Sequence, residues 1–170
     1  MKDYIVLDLE TTGLKPKSGS EIIEIGITEI TKGEISNNFS KLIKPKECIP
    51  KFITNLTHIT NYMVKDSDSI ESTLPKFRNY IGDKTVIAHN AKFDIGFINH
   101  YLEKNNLDPI TDYICTLDIL RKDKDYRGID RKLATACDYY GIPLENAHRA
   151  DCDTLATAKL FLKITNGTKQ

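Results

Sequence analysis

The 170-residue sequence has no apolar run that approaches a membrane span of about 20 residues. Its first residues, MKDYIVLDLE, lack the layout of a signal peptide, because the apolar run leads straight into acids. Both absences point to a cytoplasmic protein with no membrane partner. The four cysteines, Cys48, Cys115, Cys137 and Cys152, include no C-x-x-C pair, which speaks against a zinc ribbon. A chain of this size needs no disulfide framework. Cys115 and Cys137 sit in apolar surroundings and read as buried thiols. Charge of one sign is missing too: 24 Lys and Arg balance 24 Asp and Glu. A tight, non-specific duplex binder usually carries a basic excess. A nucleic-acid enzyme is still allowed, because acids that hold metal cations count as negative in this sum. No internal repeat, low-complexity tract or linker divides the chain.

What is present fits one domain over residues 1–165 with a frayed tail at 166–170. Residues 4–9, 21–30 and 36–45 read as strands, the last stopped by Pro45. Lys32-Gly33 makes a tight turn between the second and third, so these should form an antiparallel hairpin. Residues 15–20 are the hinge before it, and 50–65 are short helical turns. Helices are expected at 69–83, with Ser69 as N-cap, and at 92–106, 131–141 and 150–165. Short strands are expected at 85–89 and 113–117. Three strands followed by alternating helices and strands predict an α/β fold. Its mixed five-stranded sheet has an antiparallel meander, then parallel strands, and helices flank it.

Asp8 and Glu10 interrupt the end of the first strand. Residues two apart on a strand share a face, so both acids point the same way as Val6. On the helix from 92, Asp94 shares the apolar stripe of Phe97, Ile98 and Tyr101. On the last helix, Asp153 aligns with Ala156, Leu160 and Ile164. Asp94 and Asp153 also suit the dipole at a helix N-terminus, which by itself accounts for either one. Few basic residues fall on apolar stripes, so four inward acids on one sheet edge would repel each other. Hard divalent cations with oxygen ligands, Mg²⁺ or Mn²⁺, are the natural compensation. Two such ions define a phosphoryl-transfer site. His148, in the loop before Asp153, has the side chain to serve as a base near neutral pH.

Three stretches, VLDLETTGL, VIAHNAKFDIGFI and HRADCDTLATAKLF, occur in order between about Tyr4 and Ile164. They resemble the three motifs of the DEDDh (DnaQ-like) 3′–5′ exonucleases, and most of all the proofreading epsilon type of bacterial DNA polymerase III. The resemblance implies a ribonuclease H-like three-layer fold. It implies that Asp8, Glu10, Asp94 and Asp153 hold two metal ions, with His148 as general base. For the substrate it implies Leu9, Thr11, Thr12, Gly13 and Leu14. Thr11 holds the terminal 3′-hydroxyl through its backbone and Leu14 wedges against the terminal base. Asn90 and Phe93 shape the pocket. LTHIT, residues 56–60, resembles a Leu-Thr-Gly-Ile-Thr segment that borders the substrate groove and brings in Thr57 and His58. His58 stands where that segment has glycine, so the local geometry is expected to differ. His89 and His100 are not expected to be catalytic. The implied partner is DNA with a single-stranded or frayed 3′ end, with a polymerase as a further candidate. An exoribonuclease of the same fold and a non-catalytic nucleic-acid-binding module remain alternatives. So does a hydrolase using Cys152 with His148, though acids flank Cys152 on both sides.

Overall fold

The computed structural model describes residues 2–166, with side chains to Thr165; of the tail expected at 166–170, Asn166 ends the last helix and the rest lies outside the described residues. Five strands form one mixed sheet in the order β3-β2-β1-β4-β5. They are β1 (Tyr4–Thr11), β2 (Ile22–Thr31), β3 (Glu34–Leu42), β4 (Thr85–Ala88) and β5 (Tyr113–Cys115). β1 pairs antiparallel with β2 along its whole length, and β2 with β3. β4 and β5 lie parallel on the other side. Lys32 and Gly33 both take positive φ, 54° and 85°, as a two-residue turn between β2 and β3 requires. The mixed sheet, meander and parallel pair match the sequence reading.

Helices cover both faces. Ile5, Leu7 and Leu9 of β1 pack with Leu74 and Phe77 of α3 (Ile70–Ile81) and with Ile95 and Ile98 of α4 (Ala91–Lys104). Ser69 caps α3 by accepting the Ser72 N–H. On the opposite face, Val6, Ile30 and Ile87 pack against Ala158 and Phe161 of α7 (Ala150–Asn166). Two short helices, α1 (Lys51–Thr57) and α2 (Asn61–Val64), account for the mixed segment at 50–65. The layers are therefore helix, sheet, helix.

Several boundaries shift: the first strand runs on to Thr11, and the third, expected over 36–45, spans Glu34–Leu42 and ends before Pro45. Two further changes alter the elements themselves. The strand expected over 113–117 ends at Cys115, and residues 116–122 form a helix, α5 (Thr116–Lys122). β5 is an edge strand with only three residues facing β4. Asp118 in the first turn and Arg121 and Lys122 in the last complement the helix dipole of α5. The helix expected over 131–141 is trimmed to α6 (Leu133–Tyr139). Arg131 is drawn away from it, its carbonyl contacting His89 Nε2 at 2.9 Å.

Candidate active site

The site begins where β1 outruns its parallel neighbour. β4 pairs with β1 only from Tyr4 to Val6, so the edge of β1 beyond Val6 has no strand beside it. The Leu9 N–H on that edge needs another acceptor. Asp94, in the first turn of α4, supplies it: its Oδ1 accepts the Leu9 N–H at 3.0 Å. This is the crevice at the carboxyl ends of the strands, where connections leave in opposite directions and ligands bind in open α/β sheets.

Asp153 approaches from the first turn of α7. Its Oδ2 accepts the backbone N–H of His148 at 3.0 Å. Oxygen or nitrogen atoms of Glu10, His148 and Asp153 lie within 4.8 Å of one another, close enough to share a cation. Asp8 feels the charges of Asp94, Asp153 and Glu10 together. The structure thus gathers all four sequence-identified acids, from β1, α4 and α7, beside an exposed His148.

Their protonation reports the crowding. Burial first, then the Asp153, Glu24 and Asp94 carboxylates, push Glu10 up to about 8. Burial also pushes Asp94 up to about 8, against the relief of the Leu9 N–H. Asp8 is driven well above the usual carboxylate range by burial and by Asp94, and Asp153 is raised by burial. Carboxylates this crowded need a counter-cation to ionise together at neutral pH. All of the donors are oxygens apart from one imidazole, a set that fits a hard divalent ion.

One acid escaped the sequence reading. Glu24, on β2, lies directly across from Glu10 and is 0% exposed. It accepts from Arg149 Nη2 (2.8 Å) and Nε (3.2 Å), from the Ala150 N–H (3.1 Å) and from the Ser40 hydroxyl (2.7 Å). Burial alone would raise Glu24, but these hydrogen bonds win and hold it low. A basic side chain does reach the interior, therefore, but it serves Glu24 rather than Asp8. The available signal was an acid inside the apolar run of β2 and an arginine directly before an alanine-led helix. Gly26 completes the joint, because a Cβ there would overlap the Ala150 carbonyl.

Two hollows share Asn90 in their linings, and the larger reaches Asp153 and His148. One, about 420 Å³, is lined by Leu14, Lys15, Pro16, Asn90, Phe93 and Phe97, so three expected substrate contacts meet there. Leu14 is 81% exposed. The other, about 890 Å³, runs from Asn90 past His148 and Asp153 to Arg121, Ile129 and Lys132. The remaining expected contacts are mostly structural in their side chains. The Leu9 side chain is buried in the core, and only its N–H touches the site. The Thr11 hydroxyl donates to the Gly13 carbonyl at 2.7 Å, and the Thr12 hydroxyl accepts the Glu21 N–H at 2.8 Å. A Cβ on Gly13 would crowd the Ser20 hydroxyl. These bonds shape the turn that presents Leu14. Thr57 is 1% exposed and its hydroxyl is spent on Ile53 O and the Ile59 N–H. It therefore fixes the end of α1 instead of facing a ligand. His58 is exposed, and it keeps the left-handed backbone (φ 61°) that a glycine would adopt. The histidine itself bears the strain of that backbone.

Of the two thiols read as buried, Cys137 is buried but Cys115 is only half-buried, because it ends the edge strand β5. His89 bridges the Thr116 hydroxyl and the Arg131 carbonyl, and burial lowers its pKa. Burial and then Asp151 raise the Cys152 thiol, which disfavours a nucleophilic thiolate.

The exonuclease family model RNase_T matches residues 5–161. The chain is 38% identical over 168 residues to DNA polymerase III PolC-type of Staphylococcus aureus, covering 98% of this chain and 12% of that protein. With the Clostridium perfringens protein of the same name the identity is 40% over 162 residues, 94% of this chain and 11% of the relative. The chain thus spans about an eighth of the length of these relatives. Among solved structures, Exonuclease X in complex with 5′ overhanging duplex DNA superposes with a TM-score of 0.78 at 27% identity, covering 98% of this chain and 93% of that one. E. coli Exonuclease I in complex with a dT13 oligonucleotide gives 0.84 at 15% identity, covering 97% and 41%, which speaks to the ribonuclease H-like fold alone. With the match running through the elements that carry all four acids and His148, the chain belongs to the DnaQ-like RNase_T family of exonucleases.

Proposed function

We propose that the chain is a 3′–5′ exonuclease dependent on two divalent cations, Mg²⁺ or Mn²⁺. It removes nucleoside 5′-monophosphates from single-stranded or frayed 3′ ends of DNA. The observation that carries this reading is the convergence of Asp8, Glu10, Asp94 and Asp153 beside exposed His148, which with Asp153 lines the larger hollow. The DNA-polymerase relatives and the DNA held by Exonuclease X support DNA as substrate.

The four carboxylates would hold the cations, which when bound neutralise phosphate charge and acidify water. The protein's own groups do the rest. His148 accepts the proton of the attacking water. Asp153 holds the His148 backbone in place through the 3.0 Å bond. The turn braced by Thr11, Thr12 and Gly13 offers backbone groups to the terminal sugar, and Leu14 packs on the terminal base. Phe93 and Asn90 close the opposite wall, and His58 borders the groove. No base edge is read in this arrangement, so sequence preference is weak. A paired terminal base must first leave its stack, which favours single-stranded or frayed ends. The activity suits proofreading or repair in the cytoplasm, and a polymerase is the partner that proofreading requires.

The test uses a 5′-labelled single-stranded DNA and an RNA of matched sequence with Mg²⁺ or Mn²⁺. A ladder of 3′-shortened DNA that vanishes with chelator is expected, with nucleoside 5′-monophosphate as product. No ladder from either strand, with wild type and His148→Ala indistinguishable, would sink the reading. Faster loss of RNA than DNA would make the chain an exoribonuclease.

A further inference from the structure

The far wall of the larger hollow is a loop, residues 123–132, between α5 and α6. It has no regular structure, yet it is firmly built. Tyr126 is buried among Cys137, Ala156 and Leu160, and its hydroxyl donates to the Asp130 carbonyl at 2.7 Å. A Cβ on Gly128 would overlap the Tyr126 ring, so only glycine lets the chain fold back over it. Arg131 lies over the same ring at 5.7 Å and donates from Nε to the Leu120 carbonyl. These contacts leave an apolar side chain standing out in solvent: Ile129 is 96% exposed.

An isoleucine held out in water by a tethered loop is unusual, and its place makes it informative. It shares the hollow with His148 and Asp153. Arg121 and Lys132 line the same wall. Their present partners are exposed carboxylates, Asp118 at 2.8 Å and Asp130 at 3.8 Å. Such exposed pairs are weak and can be exchanged for a phosphate. The wall therefore offers an apolar contact between two cations, the alternation that a polynucleotide presents as base and phosphate.

We propose that this loop is a second nucleotide subsite: Ile129 packs against a base on the 5′ side of the scissile phosphate, and Arg121 and Lys132 hold the flanking phosphates. The proposal rests on the nuclease reading of the groove. It gives the two hollows separate tasks. The one at Leu14 takes the terminal nucleotide, and the one at Ile129 takes the strand behind it.

The test compares kcat/KM for a DNA decanucleotide with that for a chromogenic p-nitrophenyl ester of thymidine 5′-phosphate, which carries neither a base nor a flanking phosphate on the 5′ side. For Ile129→Ser, and for Arg121→Gln combined with Lys132→Gln, the decanucleotide-to-ester ratio should fall about five- to ten-fold. In the double variant the slope of log KM against log salt should also flatten by about 1.4, for two lost contacts to a single strand. Ile129 is fully in solvent, so unchanged melting temperatures are expected and folding does not obscure the result. An unchanged ratio in both variants and an unchanged slope in the double variant, with both substrates cleaved, overturns the subsite alone. If the wild type cleaves neither substrate, the nuclease reading fails and the subsite falls with it.

Discussion

His58, Asn90 and His148 have positive φ, at 61°, 61° and 68°, although none is glycine. Side chains pay for that conformation, and such residues gather where geometry serves function. The strain at His58 was partly legible in the sequence, as a histidine in a glycine's place. That the backbone would not relax was not legible, because it depends on Thr57 locking the end of α1. His58→Gly should therefore raise stability by about 1 kcal/mol in denaturant unfolding; a loss would mean that the turn is not strained. His148 carries the chemistry in this account. Its exposed side chain leaves the fold indifferent to substitution, so His148→Ala should lower kcat by about 10²- to 10⁴-fold at unchanged melting temperature.

At the scale of elements, the site depends on how α7 is seated. The Glu24–Arg149 pair and the Ala150 N–H fasten its first turn to β2, and Gly26 lets the two backbones approach. Glu24→Ala should cost about 2–3 kcal/mol in urea unfolding, since it strands a guanidinium that is about a third exposed and a helix N–H. Glu24→Gln, which keeps a hydrogen-bond acceptor, should lose less. Equal losses from both would show that charge, not the bonded geometry, holds the joint. The elements bearing the four acids were legible because each has a clear pattern: an apolar run broken by acids in β1, and stripes at three and four residues in α4 and α7. Glu24 was hidden by the same logic. β2 is buried on both faces, so its acid falls on no polar stripe, and its partner lies 125 residues away. The α5 helix was missed because a three-residue edge strand runs directly into it.

Across the whole molecule, a mixed sheet places one strand between two kinds of neighbour and lets it outrun the parallel one. Acids from three elements then meet in the gap, at a cost that grows as they ionise. Glu10 and Asp94 sit at about 8 in the folded chain, above the ordinary 4.5 and 3.8. The folded state therefore binds their protons more tightly than the unfolded state does. That stabilisation is complete at low pH and is lost as pH rises through about 8. The metal-free protein should accordingly melt at lower temperature at pH 9 than at pH 6. Mn²⁺ should raise the melting temperature more at the higher pH, since it replaces protons that have left. A metal-free melting temperature that climbs over this range would contradict the crowding. The central claim is that Asp8, at the heart of this cluster, is needed to hold the cations that make the site work. Its most direct test is the rate at which Asp8→Ala, folded as judged by its melting curve, shortens a 5′-labelled DNA strand in saturating Mn²⁺. The account predicts a fall of about a thousand-fold or more, to the level of wild type in chelator. Metal-dependent cleavage within about ten-fold of the wild-type rate would contradict it.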